Sequence, residues 1–74
     1  MGRKKLTYIT QPVRRPDGTL RGIRVTDSEG GREFLRAESI PEARKAEREG
    51  AVTGAISAAL EAYAQTPEGK AEGV

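Results

Sequence analysis

Apolar residues in the first half of the chain recur at intervals of two, in short runs separated by turn-forming residues. Ile23 and Val25 share one parity while Gly22, Arg24 and Thr26 share the other, which is the alternation of a strand with one buried face. Leu6 and Tyr8 share a parity in the preceding run until Pro12 interrupts it. A proline has no amide donor for a neighbouring strand, so it marks an edge strand or a bulge. Phe34 and Leu35 are adjacent and must point to opposite sides of a third strand. A chain so short of large apolar groups favours a core position for Phe34. Pro16-Asp17-Gly18 and Ser28-Glu29-Gly30-Gly31 carry turn chemistry: Pro presets φ, Asp bonds its own backbone, and Gly accepts positive φ. Strands over 6–14, 19–27 and 32–38 joined by such turns form an antiparallel meander.

The period then changes. Ser39-Ile40-Pro41-Glu42 fits a helix start, with Ser39 as cap, Glu42 completing a capping box and Pro41 tolerated in the first turn. The charged run that follows is helix-favouring, and Gly50 reads as its C-terminal stop. A second helix over 52–65 has its apolar stripe at Val52, Ile56, Ala59, Leu60 and Tyr63, the spacing of one helical face. In one unbroken helix, Ile40, Ala43 and Ala51 would lie about 120° from that stripe, so two helices with a break near Gly50 are expected. Thr66-Pro67-Glu68-Gly69 ends the pattern. The reading is an α+β fold: a three-stranded antiparallel β-meander packed against one or two C-terminal α-helices. It comprises a basic disordered tail over 1–5, a single domain over 6–65 and a frayed tail over 66–74.

Composition sharpens this picture. Leu, Ile, Val and Phe number 13 of 74 residues, near the level of disordered chains, yet the net charge of +2 is too low for that class. A folded domain with a thin core follows. Its completion by a homodimer through Val52, Ile56, Leu60 and Tyr63, or by a partner, is therefore expected. There is no Cys and no His, which removes disulfides, Cys- or His-based zinc sites and a histidine base for Ser or Thr. No catalytic residue, metal ligand or cofactor motif is assigned, and a non-enzyme is expected. No apolar run approaches the roughly 20 residues of a membrane span. The basic start leads into a strand rather than a signal-peptide core, so a cytoplasmic protein with no membrane partner is expected.

Charge is unevenly distributed. Through Arg36 there are nine Lys or Arg against four acids, and beyond it four against seven. The basic residues are Arg3, Lys4, Lys5, Arg14, Arg15, Arg21, Arg24, Arg32 and Arg36, on the strand segments or their flanks. A basic sheet backed by helix is the electrostatic footprint of a nucleic-acid binder, and these nine are the candidate site. Arg outnumbers Lys nine to four; its planar fork suits phosphate and guanine, although a GC-rich coding sequence produces the same bias. Any one of these arginines would equally serve to solvate an exposed strand face. Phe34 shares its parity with Arg32 and Arg36, so an outward Phe34 would be a stacking platform between them.

Residues 27–49 carry a resemblance. A strand, an Asp-led turn with Gly31, the run Arg32-Glu33-Phe34 and a helix opening Ile40-Pro41-Glu42-Ala43 look like the arm-type DNA-binding domains of phage integrases. That resemblance implies a sheet laid in the major groove, with Arg24, Arg32 and Arg36 contacting DNA and the basic start, Arg3 to Lys5, on the backbone. The run from Thr53 to Tyr63 is similar to the second helix of ribbon-helix-helix repressors, a poorer second match. The expected function is DNA binding through a basic sheet face, with duplex DNA as partner. The alternative is a phage-type accessory or inhibitor protein that docks on a larger host or viral protein. A structural homo-oligomer is the third reading.

Overall fold

The computed structural model describes residues 6–72, and the expectations for 1–5 and for 73–74 lie outside it. Strands β1 (Tyr8–Arg14), β2 (Leu20–Asp27) and β3 (Arg32–Arg36) pair antiparallel in the order β1-β2-β3. Both hairpin turns are held by an Asp side chain. Asp17 Oδ1 accepts from the Thr19 amide at 2.9 Å and its hydroxyl at 2.6 Å. Asp27 Oδ1 accepts from the amides of Glu29 and Gly31, each at 2.8 Å. An Asp that satisfies turn amides locally leaves the strands free to pair with each other.

Residues directly opposite in an antiparallel pair point the same way, so the register defines two faces. Thr10, Val25 and Glu33 form one inward row, and Pro12, Ile23 and Leu35 the next. Ile9, Thr26 and Arg32 form an outward row, followed by Gln11, Arg24 and Phe34, then Val13, Gly22 and Arg36. Pro12 lies in the edge strand β1, where its missing amide is harmless. Between Val13 and Arg14 the register shifts: Val13 pairs with Gly22 but Arg14 pairs with Leu20. Arg21 is thus the extra residue of a β-bulge. The bulge returns Leu20 to the inner side, where it is buried with Ile23 and Val25.

A 3-10 turn, Ala37–Ser39, runs directly into helix α1, Ile40–Arg48. Because the chain is already coiled there, Ser39 is helical (φ −93°, ψ −3°) and its side chain caps nothing. The capping box expected from Ser39 and Glu42 does not form. The stop is as expected. Gly50 has φ +72°, its amide bonds Glu47 O at 3.0 Å, and the Ala51 amide bonds Ala46 O at 2.8 Å, a Schellman ending.

Helix α2, Gly54–Ala64, starts two residues later than the stripe alone suggests, because Thr53 is its cap. The Thr53 hydroxyl oxygen accepts from the Ile56 amide at 3.2 Å and donates to Glu33 at 3.2 Å, tying α2 to β3. Helix α2 crosses the inner face and touches all three strands, while α1 packs on α2. Ala59, Leu60 and Tyr63 are buried against Leu20, Ile23, Val25, Leu35, Ile40 and Ala43, with Ile56 packed on that cluster. This corrects the homodimer surface. Leu60 and Tyr63 are consumed by the protein's own core, and Val52 lies outside the helix. Phe34 is corrected as well: Leu35 takes the core position and Phe34 faces out, 40% exposed.

The tail is the third correction. Residues Pro67–Ala71 form a short helix, α3, packed on α2. Its cap Thr66 is 7% exposed; the hydroxyl donates to Tyr63 O at 2.6 Å and accepts from the Gly69 amide at 3.1 Å. Its sequence signal is the pair Thr66-Pro67, a capping residue followed by a proline in the first turn. Thr66→Ala is expected to destabilise the domain by about 1 kcal/mol, and Leu60→Ala by about 2–5 kcal/mol. Urea denaturation followed by circular dichroism checks both. An unchanged midpoint for Thr66→Ala would mean the cap does not anchor α3.

Candidate functional site

All three helices lie on the inner side, so the outer sheet face carries no covering layer among the described residues. Its side chains are set by strand alternation and by the bulge. Arg24 occupies the centre of β2, opposite Gln11 on one side and Phe34 on the other. Arg32 and Arg36 flank Phe34 on β3, one row away on either side. The bulge residue Arg21 joins them, lining one depression with Val13, Arg24 and Phe34 and a second with Arg15, Phe34, Arg36 and Glu38. Five of the nine predicted residues, Arg15, Arg21, Arg24, Arg32 and Arg36, are therefore gathered on one exposed face.

Two of these guanidinium groups have an acid nearby: Asp17, in the β1–β2 turn, interacts with Arg15, and Glu38 with Arg36. Arg36 meets Glu38 at 3.9 Å, with both side chains more than two-thirds exposed, and an ion pair so solvated is worth little. Arg15 donates to Leu20 O at 3.3 Å, which positions it without cancelling its charge. Glu33, although on β3, points inward to Thr53.

Arg14 behaves differently from its neighbour. It has the parity of Pro12 and Thr10, on the helix side, and makes a two-pronged ion pair with Glu68 of α3 at 2.7 and 3.0 Å. Arg14 is therefore a structural residue, and its assignment to the binding surface is corrected. Arg15, just past the end of β1, lines the outer depression with Arg21 and Arg36, so the pair Arg14-Arg15 is divided between the two layers. Arg3, Lys4 and Lys5 lie outside the described residues.

Two features of this face were not legible as such. Ile9 is 74% exposed at one end of it. Gly22 lies beneath the Phe34 ring: a Cβ at this position would meet Phe34 Cζ at 2.6 Å and collide with the Leu35 carbonyl. A glycine inside an otherwise good strand is the sequence signal for such a close approach.

The opposite side has mixed charge in satisfied pairs. Ser57 donates to Glu47 at 2.8 Å, and Arg44 pairs with Glu72 at 2.6 Å while lying 5.2 Å from the centre of the Tyr63 ring. Tyr63 also donates its hydroxyl to Glu72. That bond, followed by burial, holds the Tyr63 phenol above its ordinary value. The Tyr63 hydroxyl and then Arg44 hold the Glu72 carboxyl below the ordinary glutamate range, and Arg14 does the same for Glu68. No group of three or more potential metal-ligating side chains occurs among the described residues, and no helix among them is long and apolar enough to cross a membrane. Comparisons with protein-family models, curated proteins and solved structures find no match to this chain.

Glu68 and Glu72 bind protons more weakly folded than unfolded, so their contribution to stability is present above the ordinary value of about 4.5. It is lost as the pH falls through the lowered folded values. The Glu68→Gln/Glu72→Gln variant is expected to melt earlier than wild type at neutral pH and to lose less on acidification from about pH 5 to about pH 3. Thermal melts across that range measure it; parallel curves for the two proteins would show that these contacts do not stabilise the fold.

Proposed function

We propose that this chain is a non-catalytic binding module that engages duplex DNA through the outer face of its sheet. The observation supporting the reading is the gathering of Arg15, Arg21, Arg24, Arg32 and Arg36 on one exposed face, where the acids near them are Glu38 beside Arg36 and Asp17 in the turn beside Arg15. Duplex DNA presents one negative charge per roughly 1.7 Å of axis, and neutralising phosphates releases condensed counterions. Arg also forks onto guanine O6 and N7. Shape fits the same partner. Three strands about 4.8 Å apart span about 10 Å between outer axes, comparable to a major groove about 12 Å wide. The resemblance of residues 27–49 to integrase arm-type domains points the same way.

A second reading, an acidic surface of a larger protein, is favoured by Ile9, whose apolar side chain is largely exposed beside Thr26 and Arg32. An isolated apolar anchor within a charged rim is common at protein interfaces.

The test is fluorescence anisotropy with a labelled duplex of about 20 base pairs across a salt series. Binding is expected to weaken with a log–log slope of roughly −4 to −5 if all five arginines meet phosphate, at about 0.9 per contact. Arg32→Ala and Arg36→Ala are each expected to flatten that slope by about one, whereas Arg14→Ala lowers the melting temperature and leaves the slope alone. Absence of binding at about 50 mM salt ends the DNA reading, and stoichiometric binding to a single protein partner would replace it with the second.

A further inference from the structure

Phe34 is the single Phe of the chain, in a protein whose core contains few large side chains, yet it lies 40% exposed among arginines. An apolar group left outside a thin core is the local inconsistency expected at a functional position. Its place is also built. The ring leans across β2 with its tip over Gly22, where even a methyl group would displace it. Val13, opposite Gly22 on β1, is half-buried beside it. The bulge brings Arg21 to the same spot, and Arg24 stands directly opposite Phe34. The result is a small apolar seat made by Val13 and Phe34, bordered by two guanidinium groups.

From this juxtaposition we infer that the seat takes the 5-methyl group of a pyrimidine in the major groove, with Arg21 or Arg24 on a neighbouring guanine. The inference rests on the duplex-DNA reading above and assigns Phe34 as its specificity-determining residue. A major-groove edge is the ligand whose chemistry matches. Thymine presents a methyl there, guanine presents the paired acceptors that an Arg fork binds, and phenylalanine is an established type of contact for the methyl. Base stacking on an unpaired strand fits less well, because strand-binding sheets use several aromatics and this face has one. Two sources share the chemistry, thymine and 5-methylcytosine.

The experiment compares three duplexes of about 20 base pairs with the unaltered protein at low salt: a repeating TG·CA sequence, the same with uracil for thymine, and the uracil duplex with 5-methylcytosine for cytosine. Loss of one methyl from a dry contact is expected to weaken binding about fourfold. Recovery with 5-methylcytosine assigns the seat to either pyrimidine methyl, and no recovery assigns it to thymine. Phe34→Ala, checked for folding by its melting curve, is expected to bind all three duplexes alike. Wild-type affinity indifferent to both methyls overturns the inference while leaving the basic-face reading intact, as does a methyl effect that survives in Phe34→Ala. No binding to any of the duplexes overturns the DNA reading itself and this inference with it.

Discussion

Ile23 and Val25, at 0% and 1% exposure, lie beneath helix α2, and the covering of one sheet face by this single helix is the contact on which everything else rests. A three-stranded sheet this small has one row of side chains per strand to bury, and Ala59, Leu60 and Tyr63 supply the matching surface. Ala59, fully buried in α2, adds little bulk between helix and sheet, and Leu60 and Tyr63 join the same cluster. Among the described residues no second layer of helix covers the other face, which is exposed. Outward side chains such as Arg24, Arg32 and Arg36 are then free to serve something other than packing.

The bulge at Arg21 shapes that face. A regular β2 would place Leu20 outward with Gly22 and Arg24, and Arg21 inward among the core residues, where an unpaired guanidinium is very unfavourable. One extra residue solves both problems: Leu20 returns to the core and Arg21 joins the outer arginines. Gly22, next along the chain, leaves room for the Phe34 ring to cross from β3. Three consecutive residues thus combine a core contact, a charge and a vacancy for a neighbour's side chain.

The C-terminal helix α3 reaches all layers through charged contacts. Glu68 holds Arg14 at the β1 end, and Glu72 joins Tyr63 and Arg44 where α2 meets α1. Thr66 fastens the connection with two buried hydrogen bonds. Such polar clasps extend a core too small to recruit a fourth apolar element. They also sort the arginines: the one facing the helices has an acid, and those facing out do not share in the clasp.

By itself the sequence determined the order and type of the main elements. Period-two alternation in residues 22–26, Asp-Gly turns and the stripe from Ile56 to Tyr63 are local properties, dictated by where successive side chains point along a strand or helix. The shared parity of Arg32, Phe34 and Arg36 was legible for the same reason, but that Arg24 lies on their side follows from the pairing of β2 with β3. The odd spacing of Leu20 and Ile23, and a glycine inside β2, were signals of the bulge and of a close approach, but neither says which side chain arrives. Only tertiary structure decided that Leu35 rather than Phe34 enters the core, that Arg14 leaves the basic surface for Glu68 fifty-four residues away, and that residues 67–71 dock as a helix. Each of these is a competition between distant partners for the same space or the same charge, and a pattern of neighbours along the chain holds no information about which of them wins.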